Sequence, residues 1–136
     1  MRVFLDTNVL VSGFTARGLC ADVIRLVLAE HEFITGEVVL MEVQRVLQGK
    51  LALPGELVDE ILAFLHSHHV QAKPSTMPSV ILRDKDDLSV LASALAANAE
   101  VLVTGDRDLL EVSAQVPGLR ITDPRGFWNL IKKQGT

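Results

Sequence analysis

The chain has 136 residues, of which 49% are hydrophobic, and its formal net charge is −4. This length and composition exclude a disordered chain and, because no apolar run approaches the roughly 20 residues of a membrane span, a membrane protein. The charge argues against a broad basic face for nucleic acid, but it allows a small acidic centre with arginines and lysines around it.

The predicted elements alternate along the chain. In order they are a strand over 3–5, a helix over 21–29, a strand over 33–35, helices over 38–47 and 57–65, a strand over 70–72, a helix over 87–98, strands over 101–104 and 119–122, and a last helix after Asp123-Pro124. Such alternation predicts an α/β fold with a mostly parallel sheet and helices on both faces. The Pro-containing stretch 73–79 is interpreted as a connection within one domain, residues 1–136. With no signal-peptide pattern at its start, the chain is expected to be a soluble cytoplasmic protein.

Carboxylates follow two of the predicted strands. Asp6 comes directly after the strand 3–5, and the stretch "TGDRDLL" places Asp106 and Asp108 after the strand 101–104. Asp followed by Thr and Asn also favours turns and helix caps, which is the simpler explanation for Asp6. Ligands of open parallel sheets bind beyond the carboxyl ends of the strands, so we expect these acids at one edge.

Three more acids open the helix over 87–98. Asp87 shares a face with Leu91 and Leu95, so its carboxylate is expected on the side toward the sheet. Asp84 and Asp86 precede it. Capping explains one acid at a helix start, but three acids within four residues repel one another and favour a site that holds cations.

Glu42 lies at the edge of an apolar helix face, between Val38 and Val46. A carboxylate there is costly to desolvate unless it is compensated. Arg45 at i+3 offers a surface ion pair, and a metal ion offers stronger compensation.

Asp6, Glu42, Asp87 and Asp106 can therefore converge from four elements, although spacing in sequence does not establish this. Oxygen ligands without a Cys/His pattern select Mg²⁺ or Mn²⁺. Such a centre suits hydrolysis of a phosphodiester by water.

Two stretches of the chain resemble a known family. "VFLDTNVLVSGF" and "RDKDDLSVLASALAANAEVLVTGDRDLL", with Glu42 in the helix between them, resemble the PIN domain and in particular the VapC-like toxin components of bacterial and archaeal toxin–antitoxin pairs. The resemblance implies a Rossmann-like fold and an Mg²⁺- or Mn²⁺-dependent ribonuclease acting on single-stranded RNA. It also implies an antitoxin partner and a homodimer.

The same resemblance assigns site residues. The family's catalytic and metal-binding acids fall on Asp6, Glu42, Asp87 and Asp106. Supporting roles fall on Asn8, Thr104, Asp108 and Asp86. Lys85 departs from a proline that relatives often carry between the acids. Arg107, Arg17 and Lys85, and also Arg83, are candidate contacts for substrate phosphates, or else solvated charges that neutralise the acids.

Three other classes of protein are compatible with parts of this pattern. A signalling receiver domain also gathers acids around Mg²⁺, but it needs a pair of acids before the first helix and a Lys after the last strand, which this chain lacks. A haloacid-type phosphatase needs a second Asp where the chain has Asn8. A PIN-fold binding or structural protein without nuclease activity stays open.

Overall fold

The structure is a computed structural model that describes residues 1–134. Its strands are β1 (Arg2–Leu5), β2 (Glu32–Gly36), β3 (His69–Gln71), β4 (Val101–Val103) and β5 (Arg120–Thr122). Its helices are α1 (Thr7–Thr15), α2 (Leu19–Glu30), α3 (Glu37–Arg45), α4 (Gly55–His66), α5 (Lys85–Ala96), α6 (Arg107–Glu111) and α7 (Pro124–Gln134). Within this described part, no helix combines the length and apolar character needed to cross a bilayer.

All strand pairs in the sheet are parallel, in the order β3-β2-β1-β4-β5. Helices flank the sheet on both faces, so the predicted α/β, Rossmann-like fold is confirmed. In the central strand β1, the consecutive apolar residues Val3, Phe4 and Leu5 are all fully buried. This is expected for a strand that is covered on both faces of the sheet. One hydrophobic core extends from these residues to Phe127 in α7. The single domain expected for residues 1–136 stays a prediction.

The strand order reverses between β1 and β4. From β1 the chain adds β2 and then β3 on one side, and after α5 it returns to place β4 on the other side of β1. Leu5 pairs with Val103, so β1 and β4 end at the same level. A reversal of this kind leaves a crevice beyond the carboxyl ends of the two strands, and ligands bind there in α/β proteins.

Some local features differ from the prediction. Residues 7–15 and 107–111, for which no helix was predicted, form α1 and α6, and Asp6 is the N-cap of α1. The helix expected over 38–47 ends as α3 at Arg45, and a π-helical turn, Val46–Lys50, follows it. Ala52 then ends this segment with a φ of 47°, in the left-handed region.

Candidate active site

A cleft of about 330 Å³ opens beyond the carboxyl ends of β1 and β4. Asp6, Glu42, Asp87 and Asp106 all line it, together with Thr7, Asn8, Val11, Ser12, Val46, Lys50 and Val90. The structure thus brings together four acids that are far apart in sequence. We refer to this feature as the acidic cleft.

Asp6 is held on both of its carboxylate oxygens. Its Oδ1 accepts a hydrogen bond from the backbone N–H of Thr7 at 2.7 Å, and its Oδ2 accepts one from the Thr104 hydroxyl at 2.7 Å. The pKa of Asp6 is raised to about 6, because burial, with a smaller contribution from the charges of Glu42 and Asp106, outweighs the opposing effect of these two hydrogen bonds. The side chain is therefore a helix cap and a fixed wall of the acidic cleft at once.

Thr104 connects Asp6 to Asp106. Its buried hydroxyl accepts a hydrogen bond from the backbone N–H of Asp106 at 3.0 Å while it donates to Asp6. Asp106 in turn caps α6, because its Oδ1 accepts from the N–H groups of Asp108 at 2.8 Å and Leu109 at 3.4 Å. The two carboxylates that follow the central strands are thereby fixed relative to each other.

Asp87 lies in the first turn of α5 but is not its N-cap. The N-cap of α5 is Asp84, whose carboxylate accepts from the backbone N–H of Asp86 at 2.8 Å. Carboxylate oxygens of Asp87, Asp106 and Asp108 lie within 4.8 Å of one another. The pKa of Asp87 is raised to about 7, first by partial burial, then by the charge and hydrogen bond of Asp106, and last by the charges of Asp84 and Asp6.

Glu42 receives a hydrogen bond from the Thr7 hydroxyl to its Oε2 at 3.3 Å. Arg45 does not pair with it. The ion pairs of Arg25 with Asp22 and of His69 with Glu32 lie away from the acids of the cleft. Among the cleft-lining residues that the structure describes, no carboxylate is ion-paired with the lining cation Lys50.

The other residues predicted for the site lie around the acidic cleft. The side chain of Asn8 lines it, but its Oδ1 accepts from the backbone N–H of Gly105 at 2.8 Å and so holds the loop before Asp106. Asp86 lines a neighbouring groove with Arg45 and Lys73.

The predicted phosphate contacts are more peripheral. Arg17 lies in the loop between α1 and α2, Lys85 begins α5 and Arg107 begins α6. All three are exposed and do not line the acidic cleft. A cation that the sequence analysis did not single out, Lys50, does line it.

The donor set suits a hard divalent cation. It consists of carboxylate oxygens, and Mg²⁺ or Mn²⁺ ligands that share one ion lie within ~5 Å of each other, which matches the spacing among Asp87, Asp106 and Asp108. The pKa values of Asp6 and Asp87 are raised first by burial and then by the charges of neighbouring carboxylates, and a cation bound among them would favour the ionised forms.

The fold and the acidic cleft together define an α/β protein with a carboxylate centre at the reversal of its strand order. A family profile described as the PIN domain matches residues 2–108, a span that contains all four acids of the cleft. The chain belongs to the PIN domain family, whose members are generally nucleases. No match is found among curated proteins.

Solved structures share the fold. A chain of VapBC2 from Rickettsia felis, bound to a DNA fragment from their promoter, is 19% identical with a TM-score of 0.63, and the match covers 90% of this chain and 98% of that one. A domain of a functionally unknown protein from Methanocaldococcus jannaschii DSM 2661 is 19% identical with a TM-score of 0.53, and covers 89% of each chain.

Proposed function

We propose that this PIN domain is an Mg²⁺- or Mn²⁺-dependent ribonuclease that hydrolyses phosphodiester bonds of single-stranded RNA in the cytoplasm. The observation that carries the proposal is the convergence of Asp6, Glu42, Asp87 and Asp106 on one cleft. Family membership supports nuclease chemistry, and the choice of RNA rests on the resemblance to VapC-like proteins.

A divalent cation bound by these carboxylates would lower the pKa of a water molecule and stabilise negative charge on the phosphate. Asp6 and Asp106 suit the holding of such an ion, since hydrogen bonds fix both side chains in place. Without a metal ion, burial and the neighbouring carboxylates raise the pKa of Asp87 to about 7, and a bound cation would favour the ionised form, which is the form that can accept a proton.

In this proposal Asp87 accepts the proton of the attacking water. The new P–O bond forms as the bond from phosphorus to O3′ breaks, and the oxygen that leaves takes up a proton. The products are a 5′-phosphate and a 3′-hydroxyl. Glu42, held by Thr7, completes the ligand set or orients it. Asp108 stands beside Asp87 and Asp106 as a fifth acid.

A cleavage assay tests the proposal. Purified protein is incubated with labelled single-stranded RNA and Mn²⁺ or Mg²⁺, with EDTA as the metal-free arm, and with single-stranded DNA and duplex RNA as competing substrate classes. We expect cleavage of single-stranded RNA that EDTA abolishes and that Asp6→Asn reduces at least 100-fold. The exposed acid Asp59 on α4 supplies a matched control, Asp59→Asn. Equal activity of wild type and Asp6→Asn, or no cleavage by either, refutes it and leaves a PIN-fold binding or structural protein.

The exposed cations Arg107, Arg17 and Lys85 belong to the proposal as contacts for phosphates outside the acidic cleft. Where one of these residues contacts RNA, its replacement by Met should reduce the salt dependence of RNA binding. A replacement without that effect identifies a solvated charge.

We also propose that the chain is a toxin that an antitoxin protein restrains and that it forms a homodimer. The similarity to a VapBC2 chain supports a partner of this kind. Induced expression should arrest growth with the wild type but not with Asp6→Asn. Molar-mass measurement in solution tests the dimer.

A further inference from the structure

Lys50 is the one cationic side chain that lines the acidic cleft within the described residues. It is exposed and makes no ion pair with any of the acids opposite it. The side chain is therefore available to a ligand that enters the cleft.

The π-helical turn accounts for the position of Lys50. Three cleft-lining residues follow one another at intervals of four positions: Glu42 in α3, Val46 and Lys50. In a regular α-helix, residues eight apart point in directions that differ by about 80°. Across the turn Val46–Lys50 the ring is wider, with the N–H of Leu51 bonded to the C=O of Val46 at 3.0 Å, so each residue advances by a smaller angle. The turn thus brings Lys50 back toward the face of Glu42.

The charge of the acidic cleft makes such a residue useful. Four carboxylates at its wall repel the phosphates of a nucleic acid, and one divalent cation offsets only part of that charge. A lysine is a flexible point charge that binds phosphate oxygens well. Lys50 also stands on α3 and its π-helical extension, whereas Asp6 and Asp106 follow β1 and β4.

We propose that Lys50 binds a non-bridging oxygen of the substrate phosphate in the acidic cleft and so positions the strand for hydrolysis. This inference rests on the proposed nuclease function. It makes Lys50 a substrate contact at the reacting phosphate, distinct from the peripheral cations Arg107, Arg17 and Lys85.

Three variants of the full-length protein test this role. Lys50→Met removes the charge and keeps an unbranched chain, Lys50→Arg keeps the charge, and Lys132→Met removes a charge on α7 that lies over Trp128, outside the cleft. The readouts are KM and kcat for single-stranded RNA, the salt dependence of RNA affinity with Ca²⁺ in place of Mg²⁺, and Mn²⁺ affinity by calorimetry.

We expect Lys50→Met to raise KM about tenfold, and so to lower kcat/KM, and to reduce the log–log salt slope by about 0.7, the value for one contact to a single strand. Lys50→Arg should recover most of the loss, and Lys132→Met should behave as wild type.

An unchanged KM and salt slope in Lys50→Met, alongside active wild type, overturns the inference about Lys50 alone. Tighter Mn²⁺ binding as the sole effect also overturns it, because Lys50 then only neutralises the carboxylates. Absence of cleavage by the wild type overturns the inference together with the nuclease proposal.

Discussion

Thr104 donates its hydroxyl hydrogen to Oδ2 of Asp6 at 2.7 Å, although the two residues are 98 positions apart in the chain. Both side chains are buried where neighbouring strands β1 and β4 end. The hydroxyl opposes the effect of burial on the pKa of Asp6 and helps to keep this carboxylate ionised.

Replacing Thr104 by Val should therefore weaken both the fold and the chemistry. Thr104→Val keeps the volume but removes the donor to Asp6 and the acceptor for the Asp106 N–H, and we expect about 1–3 kcal/mol lower free energy of unfolding. The pKa of Asp6 should rise, which shifts the acidic limb of the cleavage profile to higher pH. Urea unfolding and a pH–rate profile measure the two effects. Thr104→Ser keeps the hydroxyl and should lose far less; a Val variant with wild-type pH dependence would contradict the assignment.

The metal-free protein should lose stability as pH rises from about 4 to about 7. The native state holds protons on Asp6 and Asp87 up to pKa values of about 6 and 7, whereas the unfolded chain releases them near 3.8, so the native state binds more protons between these limits. For the buried Asp6 the loss is about 3 kcal/mol, and for the more exposed Asp87 solvent screening makes it smaller.

Urea unfolding in EDTA at pH 5 and pH 8 measures this dependence. Asp6→Asn cannot titrate at this position, so its stability should vary less with pH and should exceed that of wild type at pH 8. Parallel pH curves for the two proteins would rule out a protonated Asp6 in the native state.

Divalent cations should reverse this loss. An ion that binds only the native state adds about 2.7 kcal/mol to the free energy of unfolding at 100 times its Kd. Because binding competes with protons, the gain in Tm with Mg²⁺ or Mn²⁺ should be larger at pH 8 than at pH 5. Scanning calorimetry with and without metal measures it. Asp106→Asn and Asp87→Asn should lose most of the gain and the control Asp59→Asn should keep it; equal gains in all variants would place the ion elsewhere.

Asn8 should matter through the loop that it holds. Asn8→Ala removes the acceptor for the Gly105 N–H, and we expect about 1 kcal/mol lower stability and faster hydrogen exchange at Gly105. A lower kcat should follow because Asp106 is next in the chain. Asn129→Ala, which truncates an exposed amide on α7, is the control. Unchanged exchange at Gly105 in Asn8→Ala would show that the bond does not restrain the loop.

The sequence predicts the sheet and the acids after its strands well, for physical reasons. Buried parallel strands are continuous apolar runs, as in Val3 to Leu5, and topology then places Asp6 and Asp106 at one edge. The simpler explanation of Asp6 as a helix cap is also confirmed, since its side chain caps α1 and lines the acidic cleft.

Two features were beyond the sequence pattern. Helix α1 contains Val9, Val11 and Gly13, residues that weaken helix propensity, so tertiary packing and not local preference stabilises it. The π-helical turn has no periodicity of its own, so the sequence does not indicate that it turns Lys50 closer to the direction of Glu42. The i, i+4, i+8 spacing of Glu42, Val46 and Lys50 is nevertheless compatible with one helix face, and Lys50 was missed because the prediction ended the helix at residue 47.

Asp6 and Asp106 each cap a helix with the same carboxylate that lines the acidic cleft. The same carboxylate oxygens thus stabilise a helix end and belong to the proposed metal site. Replacing either aspartate by Ala removes a helix cap as well as a charge, so a reduced yield of folded protein would accompany the loss of activity. Asparagine keeps the capping oxygen. A substitution by Asn therefore distinguishes lower activity per folded molecule from a lower yield of folded protein.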